Sequence, residues 1–156
     1  MAFGQLSLKG RALRLLSQRE HSRSELVRKL CRHVSVEDLS AAREQVEQAI
    51  GELAEHGFVS DERTADSVFR TQSQRFGVTK IRQTLQAKGL DPDLIAATLA
   101  KAKTTELECA RQVWQRKFGQ TASQAKERAR QQRFLAGRGF SAETIRRVIA
   151  DDCDSG

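Results

Sequence analysis

Basic side chains are the residues in this chain whose type and spacing suggest chemistry. Lys126, Arg130 and Arg133 fall at i, i+4 and i+7, one stripe of a helix. From Ser67 to Leu90 the sequence carries five Lys or Arg (Arg70, Arg75, Lys80, Arg82 and Lys88) and no acid. From Arg111 to Arg147 it carries ten, Arg138 among them, against Glu127 and Glu143. Fixed cations without interleaved carboxylates attract phosphates or other anions over a Debye length and neutralise them on contact. Arg70, Arg75, Lys80, Arg82, Lys88, Lys126, Arg130, Arg133 and Arg138 are therefore the candidate binding residues. The whole chain, 156 residues with net charge +7 and pI near 9.8, leans the same way. Acids gather between Glu37 and Asp66 and in the tail Asp151-Asp152-Cys153-Asp154.

Other chemistry finds little to stand on. There is no G-x-S-x-G, H-E-x-x-H, phosphate loop or dinucleotide fingerprint, so no enzyme class, cofactor or catalytic residue is expected. His21, His33 and His56 sit apart and read as surface or capping residues. Cys31, Cys109 and Cys153 are odd in number and widely spaced, and Cys31-Arg32-His33 lacks a second ligand pair, so reduced thiols and no metal are expected. The start MAFGQLSLKG has no apolar signal segment and no stretch is long enough to span a membrane; the expected location is the cytoplasm.

The elements that must position the cations are helices. One proline, long runs of Ala, Leu, Glu, Gln, Lys and Arg, and no tyrosine or Asn-Gly turn predict an all-α protein. Ser22-Arg23-Ser24-Glu25 is a capping box opening a helix with Leu26, Val27 and Leu30 on one side. Val46, Ala49, Ile50 and Leu53 mark a third helix stopped by Gly57, after which Phe58 is expected to turn to the core. Ala65, Val68, Phe69 and Phe76 give the next helix its inner face; Ile81 and Leu85 follow before Gly89, and Asp91-Pro92 caps another start. Thr105-Glu106-Leu107-Glu108 reads as a second capping box, opening a helix with Leu107, Trp114 and Phe118 inward. A basic helix from about Ser123 to Gly137 turns Ala125, Ala129 and Leu135 away from its cations, and a short helix from Ser141 closes the chain.

Arg82–Leu99 is nearly repeated as Arg130–Ile149: Leu85 falls on Leu135, Lys88 on Arg138, Gly89 on Gly139, Leu90 on Phe140 and Ile95 on Ile145. This predicts an elongated array of three tandem three-helix, helix-turn-helix-like repeats, at 1–59, 60–103 and 104–156 with the acidic tail. Without a heptad seam, a monomer is expected.

At this resolution of detail the chain resembles the RecX family. Arg19 and Ser22, with Glu25-Leu26 and Lys29-Leu30, are similar to its opening motif; HGFVSDERTADSVFR is similar to its central motif; Ile81, Leu85 and Lys88-Gly89-Leu90 are similar to its third. The sequence departs from the pattern at Ser60, at Thr64, and at Cys31-Arg32-His33-Val34, where no Lys-Gly corner stands. The resemblance implies a non-catalytic regulator that lies in the groove of the RecA–DNA filament and interferes with ATP hydrolysis, strand exchange and cleavage of the repressor LexA. It also implies direct contact with DNA, single-stranded and non-specific. The competing expectation is a helix-turn-helix-like DNA-binding protein acting without RecA.

Overall fold

The computed structural model describes residues 6–34 and 37–153, without the side chains of 152 and 153. The acidic tail beyond Asp151 therefore lies outside the described side chains. Among the described residues there are eight helices and no strand: α1 (Leu8–Gln18), α2 (Arg23–Cys31), α3 (Leu39–Glu55), α4 (Asp61–Gln72), α5 (Val78–Ala87), α6 (Pro92–Lys117), α7 (Ala125–Gly137) and α8 (Ala142–Cys153). None is long and apolar enough to cross a membrane.

Eight rather than nine helices result because α6 runs through the expected second capping box. The segment LAKAKTTELE holds no glycine or proline, so nothing stops propagation once Asp91 and Pro92 have nucleated the helix. Thr105 turns its hydroxyl to the Ala102 carbonyl, as a mid-helix threonine does, instead of capping.

Two compact units gather these helices. The first takes the chain up to Ala65 together with Lys88–Leu90; the second takes Asp66–Ala87 and the chain from Asp91 onward. In the first, α1 and α2 pack on α3. Ala12, Leu26, Leu30, Val46, Ile50, Leu53 and Val59 form its core, with Leu8, Leu15, Leu16 and Val27 at the margin. Leu26 and Ile50 are fully buried, each worth about 1.5–3 kcal/mol. The apolar residue that turns inward after Gly57 is Val59, not Phe58, which stands 51% exposed.

In the second unit α5 and α8 pack on α6, and α7 packs on α8 and α6. Cys109, Ala110, Val113, Trp114, Leu135, Phe140, Ile145, Val148 and Ile149 form its core, bordered by Leu107, Phe118 and Phe134. Of the expected inner face of α7, Ala125, Ala129 and Leu135, Leu135 is fully buried and Ala129 half-buried. Ala125 is exposed and Gln131 is buried instead, accepting from the Trp114 indole N–H at 3.2 Å and donating to the Gln120 carbonyl at 3.0 Å. A buried amide is tolerated there because both ends have partners.

Candidate anion-binding surface

The two glycine corners do the same thing twice. At the first, the carbonyls of Lys88 and Gly89 accept from the hydroxyls of Ser22 and Ser24 at the start of α2. At the second, the carbonyls of Arg138 and Gly139 accept from the backbone N–H groups of Gly77 (2.9 Å) and Thr79 (3.2 Å) at the start of α5. A basic residue followed by glycine thus docks onto a helix N-terminus, received by serine hydroxyls at the first joint and by backbone N–H groups, the orphan donors of a helix start, at the second. Each joint lies within one compact unit.

Glycine is required for two reasons. Gly89 and Gly139 have φ of +67° and +86°, the left-handed region that side chains disfavour. A Cβ on either would also stand 2.7 Å from Ser24 or Lys80. The receiving Gly77 has no spare room either, since a Cβ there would lie 2.5 Å from the Phe140 Cα.

A buried carboxylate ties each joint together. The Glu25 side chain accepts from the Ser22 N–H, completing the capping box, and from Lys88 and Arg19 at 2.9 Å. Burial pushes its pKa up, but the hydrogen bonds from Lys88, Arg19 and the Ser22 N–H outweigh this and lower it to about 2. In the second joint the acid comes from α6. Glu106 accepts from the N–H groups of Val78 (3.0 Å) and Ser141 (3.3 Å) and from the hydroxyls of Ser141 (3.1 Å) and Thr144 (2.8 Å). It holds the starts of α5 and α8 together. The sequence pattern does not reveal this, because the donors lie 28 to 38 residues away.

His21 is another residue whose place differs from expectation. It is buried, with Nδ1 3.0 Å from the Arg19 carbonyl and Nε2 3.1 Å from the Lys29 ammonium. Burial lowers its pKa, so the neutral ring donates at Nδ1 and accepts at Nε2. Cys109 is buried and unpaired, its thiol pushed up in pKa by that burial. Among the described residues no cluster suited to a metal ion occurs.

Of the nine candidate cations, Lys88 lies in the first unit and is committed to Glu25. The other eight lie in the second. Lys126, Arg130 and Arg133 are exposed along α7, Arg130 lying 4.0 Å from Glu127. Arg70 is exposed on α4. Arg82 borders a hollow of about 480 Å3 with Lys103 and Arg147, floored by Glu106 and Thr144. Arg75 and Arg138 meet at a cleft of about 360 Å3 with Arg116, Lys117, Gln74, Val113 and Phe134. Lys80 stands beside it with its ammonium 4.5 Å from the Phe76 ring centre. Arg116 and Lys117 are cleft residues that the acid-poor runs contained without singling out. Their signal was the aromatic pair Phe118 and Phe134, whose rings meet edge to face at 5.4 Å.

The relatives of this chain agree with its fold and its motifs. Residues 60–99 match the family model described as RecX, second three-helix domain, and residues 104–149 match RecX, third three-helix domain. Regulatory protein RecX of Leptothrix cholodnii is 46% identical over 93% of this chain and 88% of its own length. Regulatory protein RecX of Herminiimonas arsenicoxydans is 42% identical over 96% and 95%. The crystal structure of RecX from Lactobacillus salivarius superposes with a TM-score of 0.74, covering 92% of this chain and 93% of that one at 21% identity, a likeness of fold. With the opening, central and corner motifs all present and relatives of this identity spanning nearly the whole length, the chain belongs to the RecX family.

Proposed function

We propose that this chain binds the RecA–DNA filament and restrains it, lowering DNA-dependent ATP hydrolysis, strand exchange and the filament's stimulation of repressor cleavage. It acts as a cytoplasmic, monomeric, non-catalytic regulator in recombination and the response to DNA damage. The observation that carries the reading is the family match over more than nine-tenths of the chain. Charge supports it: eight of the nine candidate cations sit in a single unit, on α4, the turn between α4 and α5, α5, α7 and the corner after α7. Arg70, Arg75, Lys80, Arg82, Lys126, Arg130, Arg133 and Arg138 face the filament in this reading; Lys88 contributes by holding its joint. A ligand that favours one filament state shifts the filament toward that state by its differential affinity.

The test adds the protein to RecA filaments already formed on single-stranded DNA and follows phosphate release. Inhibition is expected well below one molecule per RecA subunit, because one ligand spanning neighbouring subunits restrains several. Inhibition only when the protein precedes RecA, at amounts that coat the DNA, overturns the reading in favour of a helix-turn-helix-like DNA binder.

A further inference from the structure

We propose that the groove between α1 and the end of α2 docks an acidic protein segment carrying a leucine or a similar aliphatic anchor. The groove lies in the first unit, apart from the eight cations of the filament reading, and does not depend on that reading.

A cationic rim here surrounds an apolar floor in a hollow of about 330 Å3. Leu15 and the buried Leu30 form the floor, and Leu6 stands at its edge, 48% exposed. Arg11 and Arg14 lie one helical turn apart on α1, and Lys29 and Arg32 one turn apart at the end of α2. No carboxylate lines the groove. Among the described residues none of these four cations has an ion-pair partner, whereas Lys9, Arg43 and Arg63 of the same unit pair with Glu52, Glu47 and Glu20. The neighbouring hollow of this unit mixes its arginines with Glu47 and Asp61.

Folding alone accounts for only half of the rim. Lys29 and Arg32 suit the C-terminus of α2, where the helix dipole favours cations. The dipole works against Arg11, which stands at the first turn of α1, and gives nothing to Arg14 in its middle. Lys29 is also held in place without being neutralised. Its ammonium donates to Nε2 of the buried, neutral His21 at 3.1 Å, and the His21 Nδ1–H donates in turn to the Arg19 carbonyl at 3.0 Å. Part of the ordering that binding costs is therefore met before a ligand arrives.

Rim and floor together select the ligand class. Carboxylates along a peptide meet cations on both walls, and an aliphatic side chain between them covers Leu6 and Leu15. A nucleic-acid strand satisfies the rim but leaves the leucines bare, and no aromatic ring lines the groove for a base to stack on. A flat bilayer bridges the hollow instead of filling it. An acidic segment with an apolar anchor uses every part of the surface.

The experiment measures the anisotropy of a labelled peptide, glutamates around a central leucine pair, on titration with the whole chain. Arg11→Gln/Arg14→Gln should weaken binding about tenfold. Arg28→Gln/Arg43→Gln, equal in charge and on the same unit, should change it by less than about twofold. Leu6→Ser keeps every charge and should weaken binding about fivefold, yet leave a peptide with serines in place of the leucines unaffected. Being at the surface, it carries the test if the α1 pair alters the circular dichroism. Equal affinity for the leucine and serine peptides overturns the proposal, as do equal losses in the two charge variants. Tighter binding of an oligothymidylate or of phosphatidylserine vesicles, with the same dependence on Arg11, Arg14 and Leu6, overturns it in favour of nucleic acid or membrane. Self-association in sedimentation equilibrium that Leu6→Ser abolishes assigns the groove to a second copy of the chain instead. Peptide binding that appears only after residues 1–5 are removed assigns it to the chain's own start.

Discussion

Replacing Glu25 with glutamine isolates the charge that fastens the first joint. Glutamine keeps the shape and still accepts from the Ser22 N–H, so the loss falls on the bonds from Lys88 and Arg19. The carboxyl falls from 4.5 to about 2 on folding, which at 1.36 kcal/mol per tenfold change in proton affinity sets a ceiling of about 3 kcal/mol. The Arg19 side chain is 49% exposed, so solvent screens its share, and Lys88 at 18% supplies most of the remainder. A loss of about 2–3 kcal/mol at pH 7 is expected for Glu25→Gln, near the lower end for breaking a buried pair. Because the folded pKa is depressed, this stabilisation is complete above about pH 4.5 and disappears as pH falls toward 2. Urea unfolding by circular dichroism at pH 7, 5 and 3 should show the two proteins converging as the carboxyl protonates. A difference that stays constant across that range, or lies below about 0.5 kcal/mol at pH 7, refutes the argument that Lys88 and Glu25 act as a buried ion pair.

At the second joint, Gly77→Ala places a methyl group against the Gly139 carbonyl and the Phe140 Cα; a loss of about 1–3 kcal/mol is expected in thermal unfolding, whereas Gly137→Ala, in α7 with open space at its Cβ, should be neutral or stabilise by up to about 1 kcal/mol. Leu135→Ala empties a fully buried site beside Trp114 and should cost about 2–5 kcal/mol, read from indole fluorescence during urea unfolding. Reversing Lys126, Arg130 and Arg133 to Glu, all exposed on α7, should leave helicity intact and weaken association with RecA filaments at least tenfold at about 0.1 M salt, as measured by sedimentation. Small-angle scattering should give a radius of gyration above the ~15 Å of a compact 156-residue domain if the repeats extend as an array.

Much of the fold is legible because its signals are local. The Ser22–Glu25 capping box forms as read, and Leu26, Leu30, Val46, Ile50 and Leu53 lie where a helical period puts them. Gly89 and Gly139 take the left-handed conformation at the repeated corners. What escapes is decided at long range or by a weak stop. The box at Thr105 had suitable residues for a cap, yet nothing before it ended the preceding helix, so α6 continues. Glu106, read only as part of that box, is a shared anchor whose ligands come from α5 and α8. In the candidate site the sequence locates the cations, but charge alone does not separate a cation held by a carboxylate, as Lys88 is, from one held by a ring, as Arg138 is. That distinction depends on which side chains the joints bring together.

The joints have a direction, and direction bears on how such a protein lengthens in evolution. The middle segment carries both halves of the coupling: a plug, Lys88-Gly89, and a socket, the start of α5 that takes Arg138-Gly139. The first segment has a socket at Ser22 but no plug, since Cys31-Arg32-His33 replaces the Lys-Gly pair. In the last segment Gln124 precedes α7 in the N-cap position and makes no side-chain cap. A duplicated stretch of gene encoding a middle segment would bring one plug and one socket together, so every insertion leaves the number of unmatched ends the same. New length of this kind needs no redesign of either terminus, and the sequence echo between Arg82–Leu99 and Arg130–Ile149 is what equivalent corners on successive segments require.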